Sequence, residues 1–265
     1  MAEPALVLDD QAAPIRTLCL NRPKARNALS LELMGALREA IKAAGAAKGT
    51  RVIIVAAEGP AFCAGHDLRE LTALRGQTDG GKSAYVETFQ VCAQLMQEIM
   101  ACPIPVIAQV HGMATAAGCQ LVATSDLAVA SEDAQFATPG VNIGLFCSTP
   151  MVALSRNVAR KQAMEMLLSG EPISAAEAVT RGLINRAVPA SDLVEATLDL
   201  AETIAAKPSS TVRIGKEAFY RQLELPVSGA YEFAAQVMAE NMMEADAKEG
   251  IGAFVEKRKP NWSDD

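Results

Sequence analysis

The feature that most limits how this chain can fold is a pair of unbroken apolar runs, RVIIVAAEG at Arg51–Gly59 and IPVIAQVHG at Ile104–Gly112. Neither run alternates polar with apolar residues. Both are rich in β-branched side chains and closed by turn residues. That texture belongs to strands covered on both faces, as in a parallel sheet packed between helices. Each run feeds a segment of small residues, AFCAGHDL after the first and MATAAGCQL after the second. Small residues let a ligand or a second backbone come close, and the first N–H groups of a helix have no intrahelical acceptor. Two such N–H groups converging on one oxygen make an oxyanion hole. Small residues also serve tight helix–sheet packing, so the pattern alone leaves both readings open.

The rest of the chain fits around these runs. Strands are predicted near Val7 and over Ile15–Leu20, followed by a helix capped by Ser30 with Leu31, Met34, Leu37 and Ile41 on one face. The polar, glycine-containing stretch from AFCAGHDLREL to Gly81 predicts a mobile surface segment, and Tyr85–Met100 a helix. SDLAVASEDAQFATP predicts two short strands about a turn at Ser131–Asp133. From Pro150 the chain is predicted mostly helical, with turns at Ser169–Pro172, Gly182 and Val188–Ala190. The clearest helices there are Asp192–Ala206 and Ala230–Met243. The expected class is α/β or α+β, with no dinucleotide-binding glycine fingerprint and no P-loop.

Composition narrows the function classes. With 31 acidic and 24 basic residues the net charge is −7, which argues against a general nucleic-acid or acidic-membrane partner. Two histidines exclude a His-rich metal centre, and no metal site is expected. The cysteines at 19, 63, 92, 102, 119 and 147 form no CxxC pair and read as reduced, mostly buried thiols. MAEPALVLDDQAAP lacks a basic stretch followed by an apolar one, and no apolar run is long enough to span a bilayer. A cytoplasmic protein is the expectation.

NRPKARNAL, AFCAGHDL, IPVIAQVHGMATAAGCQL, AVASEDAQFATPGVNIGL, GEPISAAEAVTRGLINRAVP and AFVEKRKPNW follow one another in the order seen in the crotonase, or enoyl-CoA hydratase/isomerase, superfamily. The chain resembles that family over nearly its whole length. The resemblance implies an α/β fold: a crotonase-like spiral of ββα units with a helical C-terminal region. It divides the chain into a CoA-thioester-binding core over 1–200 and a helical trimerisation region over 201–265. Homotrimers or dimers of trimers are implied. So is an acyl-CoA thioester substrate, with coenzyme A arriving as part of it and no permanently bound cofactor.

By the same resemblance, the thioester oxygen would lie between the backbone N–H groups of His66 and Ala117. Coenzyme A would meet Lys24, Ala25 and Arg26, and the backbone at Ala64 and His66. Phe254 and Lys257 of the final helix would join it, often from a neighbouring subunit. Basic residues cluster at both places, Arg22, Lys24 and Arg26 in RPKAR and Lys257, Arg258 and Lys259 in EKRKP.

Two positions depart from the family pattern. Hydratases of the family carry glutamates where this chain has Gln120, after Gly118-Cys119, and Gly140, after Pro139. A glutamine amide can place a water but cannot take its proton, and hydration needs both a base and an acid. The standard two-glutamate reaction is therefore not supported, and Gln120→Glu with Gly140→Glu is expected to create or raise it if the pocket geometry survives. The catalytic candidates are His66, Ala117, Gln120 and Gly140. Asp67 is expected to brace or cap, His111 to be structural and Cys147 to be a buried thiol. The His66 side chain is a candidate for proton transfer and Asn142 for placing water. Three readings follow: a hydratase or isomerase, an acyl-CoA decarboxylase or thioesterase, and a CoA-ester-binding scaffold.

Overall fold

The computed structural model describes residues 4–263. Its strands are β1 (Val7–Asp10), β2 (Ile15–Leu20), β3 (Val52–Ala57), β4 (Ala61–Cys63), β5 (Val106–Val110), β6 (Met113–Thr115), β7 (Leu127–Ser131), β8 (Gln135–Ala137), β9 (Ile173–Ser174) and β10 (Arg186–Val188). The α-helices are α1 (Leu31–Ala46), α2 (Leu68–Ala73), α3 (Lys82–Ala101), α4 (Ala117–Thr124), α5 (Pro150–Asn157), α6 (Arg160–Ser169), α7 (Ala175–Thr180), α8 (Leu193–Ala205), α9 (Ser209–Gln222), α10 (Val227–Asn241) and α11 (Ala245–Val255).

The strands work in pairs. In β3–β4, β5–β6 and β7–β8 the first strand joins a six-stranded sheet of order β1-β2-β3-β5-β7-β10. The second strand of each pair joins a four-stranded sheet of order β4-β6-β8-β9. Successive first strands run parallel, with Ile53 opposite Val106 and Ile107 opposite Leu127. So do the second strands, with Ala61 opposite Met113 and Ala114 opposite Phe136. This is the expected ββα repeat, and it puts the C-terminal end of every second strand on one side of the small sheet.

The apolar runs are covered on both faces for a visible reason. Ile53, Val55, Val106 and Ala108 face the main core with α1 and α3. Val52, Ile54 and Ile107 face the opposite way, against Leu193, Ala201 and Ala205 of α8. Alternate residues of one strand thus serve two helical layers, and every position must be apolar.

The segment before Gly81 is more ordered than its composition suggests, because α2 forms within it. GQTDGGKS at 76–83 also has the spacing of a P-loop, which the sequence reading passed over. It lacks the P-loop's context, since a helix precedes it rather than a strand. The Asp79 carboxylate accepts from the N–H groups of Gly81 and Ser83 at 2.9 and 2.8 Å, where a phosphate would bind.

At the C-terminal end, α9 is anchored by a buried network. Lys216 Nζ donates to Asp126 Oδ2 at 2.6 Å and to the carbonyls of Ile99 and Ile104, each at 3.0 Å. Tyr220 donates to Asp126 Oδ1 at 2.8 Å. By contrast α10 buries no residue, leaving Val227, Tyr231 and Met238 at 75%, 77% and 63% exposure.

Candidate active site

The first small-residue junction is held by a short parallel ladder between residues 26–29 and 64–67. Ala64 N–H donates to the Arg26 carbonyl at 3.0 Å. Leu29 N–H donates to the Gly65 carbonyl at 2.7 Å and Asp67 N–H to the Leu29 carbonyl at 3.1 Å. Leu29 therefore pairs with His66. In such a bridge alternate residues use their backbone groups, so the His66 N–H points away from residues 26–29. Asn27 fixes the other side of the ladder. It is fully buried, and its amide donates to the carbonyls of Glu58 and Ala61 at 2.8 and 2.9 Å.

Asp67 caps α2, accepting from Arg69 and Glu70 N–H groups at 3.0 and 3.3 Å, and pairs with Arg22 at 3.0 Å. Burial pushes its carboxyl up, but the bonds from Arg22 and the two N–H groups outweigh that and hold it below the ordinary value. Asp67 is a brace, as expected. His111 Nε2 donates to the Gly59 carbonyl at 2.8 Å, also a structural role.

The second junction lies at the start of α4, a helix buried along its whole length. Ala116 sits at φ 50° and ψ −116°, a conformation usually left to glycine. Its N–H donates to the Ala137 carbonyl at 2.9 Å. Ala117 is the first helical residue, so its N–H has no acceptor within the helix.

The two junctions are pressed together. A Cβ on Gly118 would lie 2.1 Å from the Cys63 carbonyl oxygen. A Cβ on Gly65, at φ +87°, would lie 2.9 Å from the Ala116 Cβ and 3.4 Å from the Ala117 nitrogen. Only glycine fits at either place. The result brings His66 and Ala117 to the wall of one cavity.

That cavity has a volume of about 570 Å³, and Ala64, His66, Ala117 and Gly140 line it, together with Asn142 and Cys147. Most of its remaining wall is apolar and includes Leu68, Leu71, Phe89, Ile143, Leu145 and Phe146. Among the described residues no carboxylate lines it. The His66 ring stands edge-on to Phe89, with centroids 5.2 Å apart, and neither ring nitrogen has a hydrogen-bond partner. Burial lowers its pKa, and the nearby Leu29 carbonyl only partly opposes this. Cys147 is 7% exposed and burial raises its thiol, which fits an inert group.

Two departures from expectation concern the glutamate positions. Gln120 is 5% exposed and is not among the lining residues; its Oε1 instead faces the Cys92 thiol at 3.9 Å. At Gly140 a Cβ would stand 2.8 Å from the Leu145 carbonyl and 2.9 Å from the Cys147 sulfur. The chain turns back on itself here, with Leu145 N–H donating to the Gly140 carbonyl at 2.9 Å. The condition on restoring a glutamate at 140, that the pocket geometry survive, is not met without movement: the Leu145 carbonyl and the Cys147 sulfur must shift to admit a side chain.

The basic clusters are also smaller than their strings. Arg22 is used internally, by Asp67 and by the Ala28 carbonyl at 2.6 Å, whereas Lys24 and Arg26 are exposed beside Ala25. Arg258 is held by Glu249 through two bonds of 2.6 and 2.8 Å, leaving Lys257 and Lys259 exposed. Phe254 is 86% exposed, and neither it nor Lys257 lines the cavity. Sequence reasoning missed Phe89 and Ala116, and pointed only to the neighbourhood of Cys147 for the wall formed by Ile143, Leu145 and Phe146. The apolar residues of VNIGLF gave a signal for the wall, but Phe89 lies inside an ordinary helix pattern.

The family model for enoyl-CoA hydratase/isomerase matches residues 10–265. The mitochondrial enoyl-CoA hydratase domain-containing protein 3 of Rattus norvegicus is 49% identical over 262 residues, covering 99% of this chain and 86% of that protein. Its Homo sapiens counterpart is 48% identical over 262 residues, covering 99% of this chain and 85% of the relative. A crystal structure of an enoyl-CoA hydratase from Mycobacterium smegmatis superposes with a TM-score of 0.93 at 49% identity, covering 98% of this chain and 99% of that one. The cytoplasmic expectation is corrected by these comparisons, because the rat and human relatives are mitochondrial proteins by name. Composition and an N-terminal string carry too little to place a chain in a compartment. A family match over residues 10–265, with relatives this similar along nearly the full length, makes the chain a member of the enoyl-CoA hydratase/isomerase family.

Proposed function

We propose that the chain binds an acyl-CoA thioester, with the acyl group in the apolar cavity and the carbonyl oxygen between the N–H groups of His66 and Ala117. The carrying observation is the contact of the two junctions at Gly65 and Gly118, with His66 and Ala117 lining one cavity. Two N–H donors on one oxygen favour the enolate-like state over the ground-state thioester, each by roughly 3–4 kcal/mol. Lys24, Ala25 and Arg26, on the segment whose Arg26 carbonyl accepts from Ala64 N–H, and the backbone at Ala64 would meet the CoA phosphates and adenine. Phe254 and Lys257 would reach the CoA of an adjacent copy in a homotrimer or dimer of trimers. The exposed apolar face of α10 supports such an assembly.

Two-glutamate hydration is not the chemistry we assign. Gln120 and Gly140 stand where the family resemblance puts the glutamates, and among the described residues no carboxylate lines the cavity. That observation favours a second reading, in which loss of CO₂ from an acyl-CoA or cleavage of the thioester uses the same oxyanion stabilisation.

Crotonyl-CoA and the purified chain, followed by the enoyl absorbance, test the first point: no turnover is expected, and turnover at ordinary enzyme rates overturns it. Calorimetric titration with octanoyl-CoA tests the binding itself. Acyl-CoA binding with no turnover of malonyl-, methylmalonyl- or 3-enoyl-CoA leaves a binding scaffold, and no binding removes the whole reading.

A further inference from the structure

Both nitrogens of the His66 ring are sealed from solvent and unpaired, although the residue lines the cavity. Leaving a buried polar group without a partner is destabilising, so a ring with two such atoms demands an explanation. Packing offers only part of one. Phe89 holds the ring edge-on, and the Leu29 carbonyl beside it falls short of hydrogen-bond geometry. Turning the ring toward the cavity therefore gives up only its weak approach to the Leu29 carbonyl and gives its nitrogens a partner whenever a ligand is present.

The surroundings narrow what that partner is. Among the residues lining the cavity only His66 and Cys147 titrate, and burial keeps the thiol protonated. Ser148, Thr149 and Thr115 contribute hydroxyls, and Asn142 an amide, none of which accepts a proton readily. His66 also has a second, independent connection to the reacting group, because its own backbone N–H is one of the two donors assigned to the carbonyl oxygen. A thioester held there has its α-carbon one bond beyond the carbonyl carbon, within reach of a side chain on the same residue.

We infer that His66 is the catalytic base and acid at the α-carbon of the bound acyl thioester. This rests on the acyl-CoA reading above. In the forward step a lone pair on the neutral imidazole takes the α-proton. The C–H electron pair forms the carbon–carbon double bond of the enolate, and the carbonyl π electrons move onto the oxygen held by the His66 and Ala117 N–H groups. In the return step the imidazolium gives a proton back to the α-carbon. No oxidant or further reactant is needed. The lowered pKa of the ring suits the role, since it keeps the imidazole neutral down to below the ordinary histidine value of 6.5.

The test follows α-proton exchange, which needs no knowledge of the net reaction. The full chain is incubated with octanoyl-CoA in D₂O, and deuterium at the α-carbon is read by mass spectrometry. Binding is measured in parallel by calorimetry. Wild type is expected to bind and exchange, with the rate falling as pH drops below the histidine range. His66→Gln, which retains the backbone donor, is expected to bind within a few-fold of wild type and to exchange about 100-fold more slowly or worse.

His66→Ala is the second variant, with exchange expected to recover when free imidazole is added. A melting curve for each variant establishes that it is folded. Exchange undiminished in a folded variant overturns the assignment, and so does wild-type binding without exchange; both leave the carbonyl-binding reading standing. A wild-type chain that does not bind octanoyl-CoA removes both together.

Discussion

Gly118→Ala is the most direct test of how the site is built. The added methyl would lie 2.1 Å from the Cys63 carbonyl oxygen and 2.8 Å from its carbon. Carbon and carbonyl oxygen normally approach to about 3.3–3.6 Å, so the start of α4 and the end of β4 must part by roughly 1.2 Å. Nothing flexible can absorb the difference, because the obstacle is backbone within a buried strand. Overpacking of this kind costs about 1–3 kcal/mol and sometimes more. Because the collision is with main chain, the upper end is expected here.

The same displacement separates the His66 and Ala117 donors, and a misplacement of about 1 Å is enough to cost about 100-fold in a positioned interaction. Urea unfolding gives the first quantity, and octanoyl-CoA titration with the exchange rate gives the second. Gly35→Ala is the control, since that helical glycine has open space around it and should gain up to about 1 kcal/mol from helix propensity. A Gly118→Ala chain within about 0.5 kcal/mol of wild type, or one that binds and exchanges as before, refutes the reasoning.

The remaining predictions concern the missing carboxylates, the buried ion pair and the thiols. Gln120→Glu with Gly140→Glu should not yield crotonyl-CoA hydration, because residues 145–147 occupy the space of a Cβ at 140; turnover by the folded double variant would show that the loop yields. Asp126→Ala leaves the Lys216 ammonium buried with carbonyls alone and should lower urea stability by about 3–5 kcal/mol; a loss under about 1 kcal/mol contradicts the network's role. Cys63, Cys92 and Cys119 are pushed by burial from 9.0 up to about 12. The folded chain thus keeps protons that the unfolded chain releases above about pH 9. Stability should be at its full value below about pH 9 and decline toward about pH 12, by up to about 1.4 kcal/mol per pH unit per thiol. Unfolding midpoints at intervals across that range measure the slope, which Cys92→Ala should reduce by about one proton; an identical slope in the variant counts against the assignment.

How far the sequence could be read depended on the range of the interaction involved. The two central strands were legible because a strand covered on both faces has to be apolar at every position, and Ile53 and Ile54 answer to different helical layers. The Ser30 cap was legible because its acceptor role lies three residues along, at Leu33 N–H. The basic clusters were misleading for the opposite reason. Arg22 is neutralised by Asp67, 45 positions away, so a local count of three cations overstates what a phosphate would meet.

The glycines mark the limit most clearly. Gly118 and Gly140 look alike in the string, each simply a small residue in a small-residue segment. In space one is pressed against the Cys63 carbonyl and the other lies under the turn of residues 145–147. The substitution at 140 is therefore a property of backbone shape, and a single exchange of residue type cannot undo it. Proton transfer has to come from a side chain that the altered loop leaves at the cavity. His66, which lines the cavity together with that loop and has no hydrogen bond at either ring nitrogen, is the side chain to which we assign it.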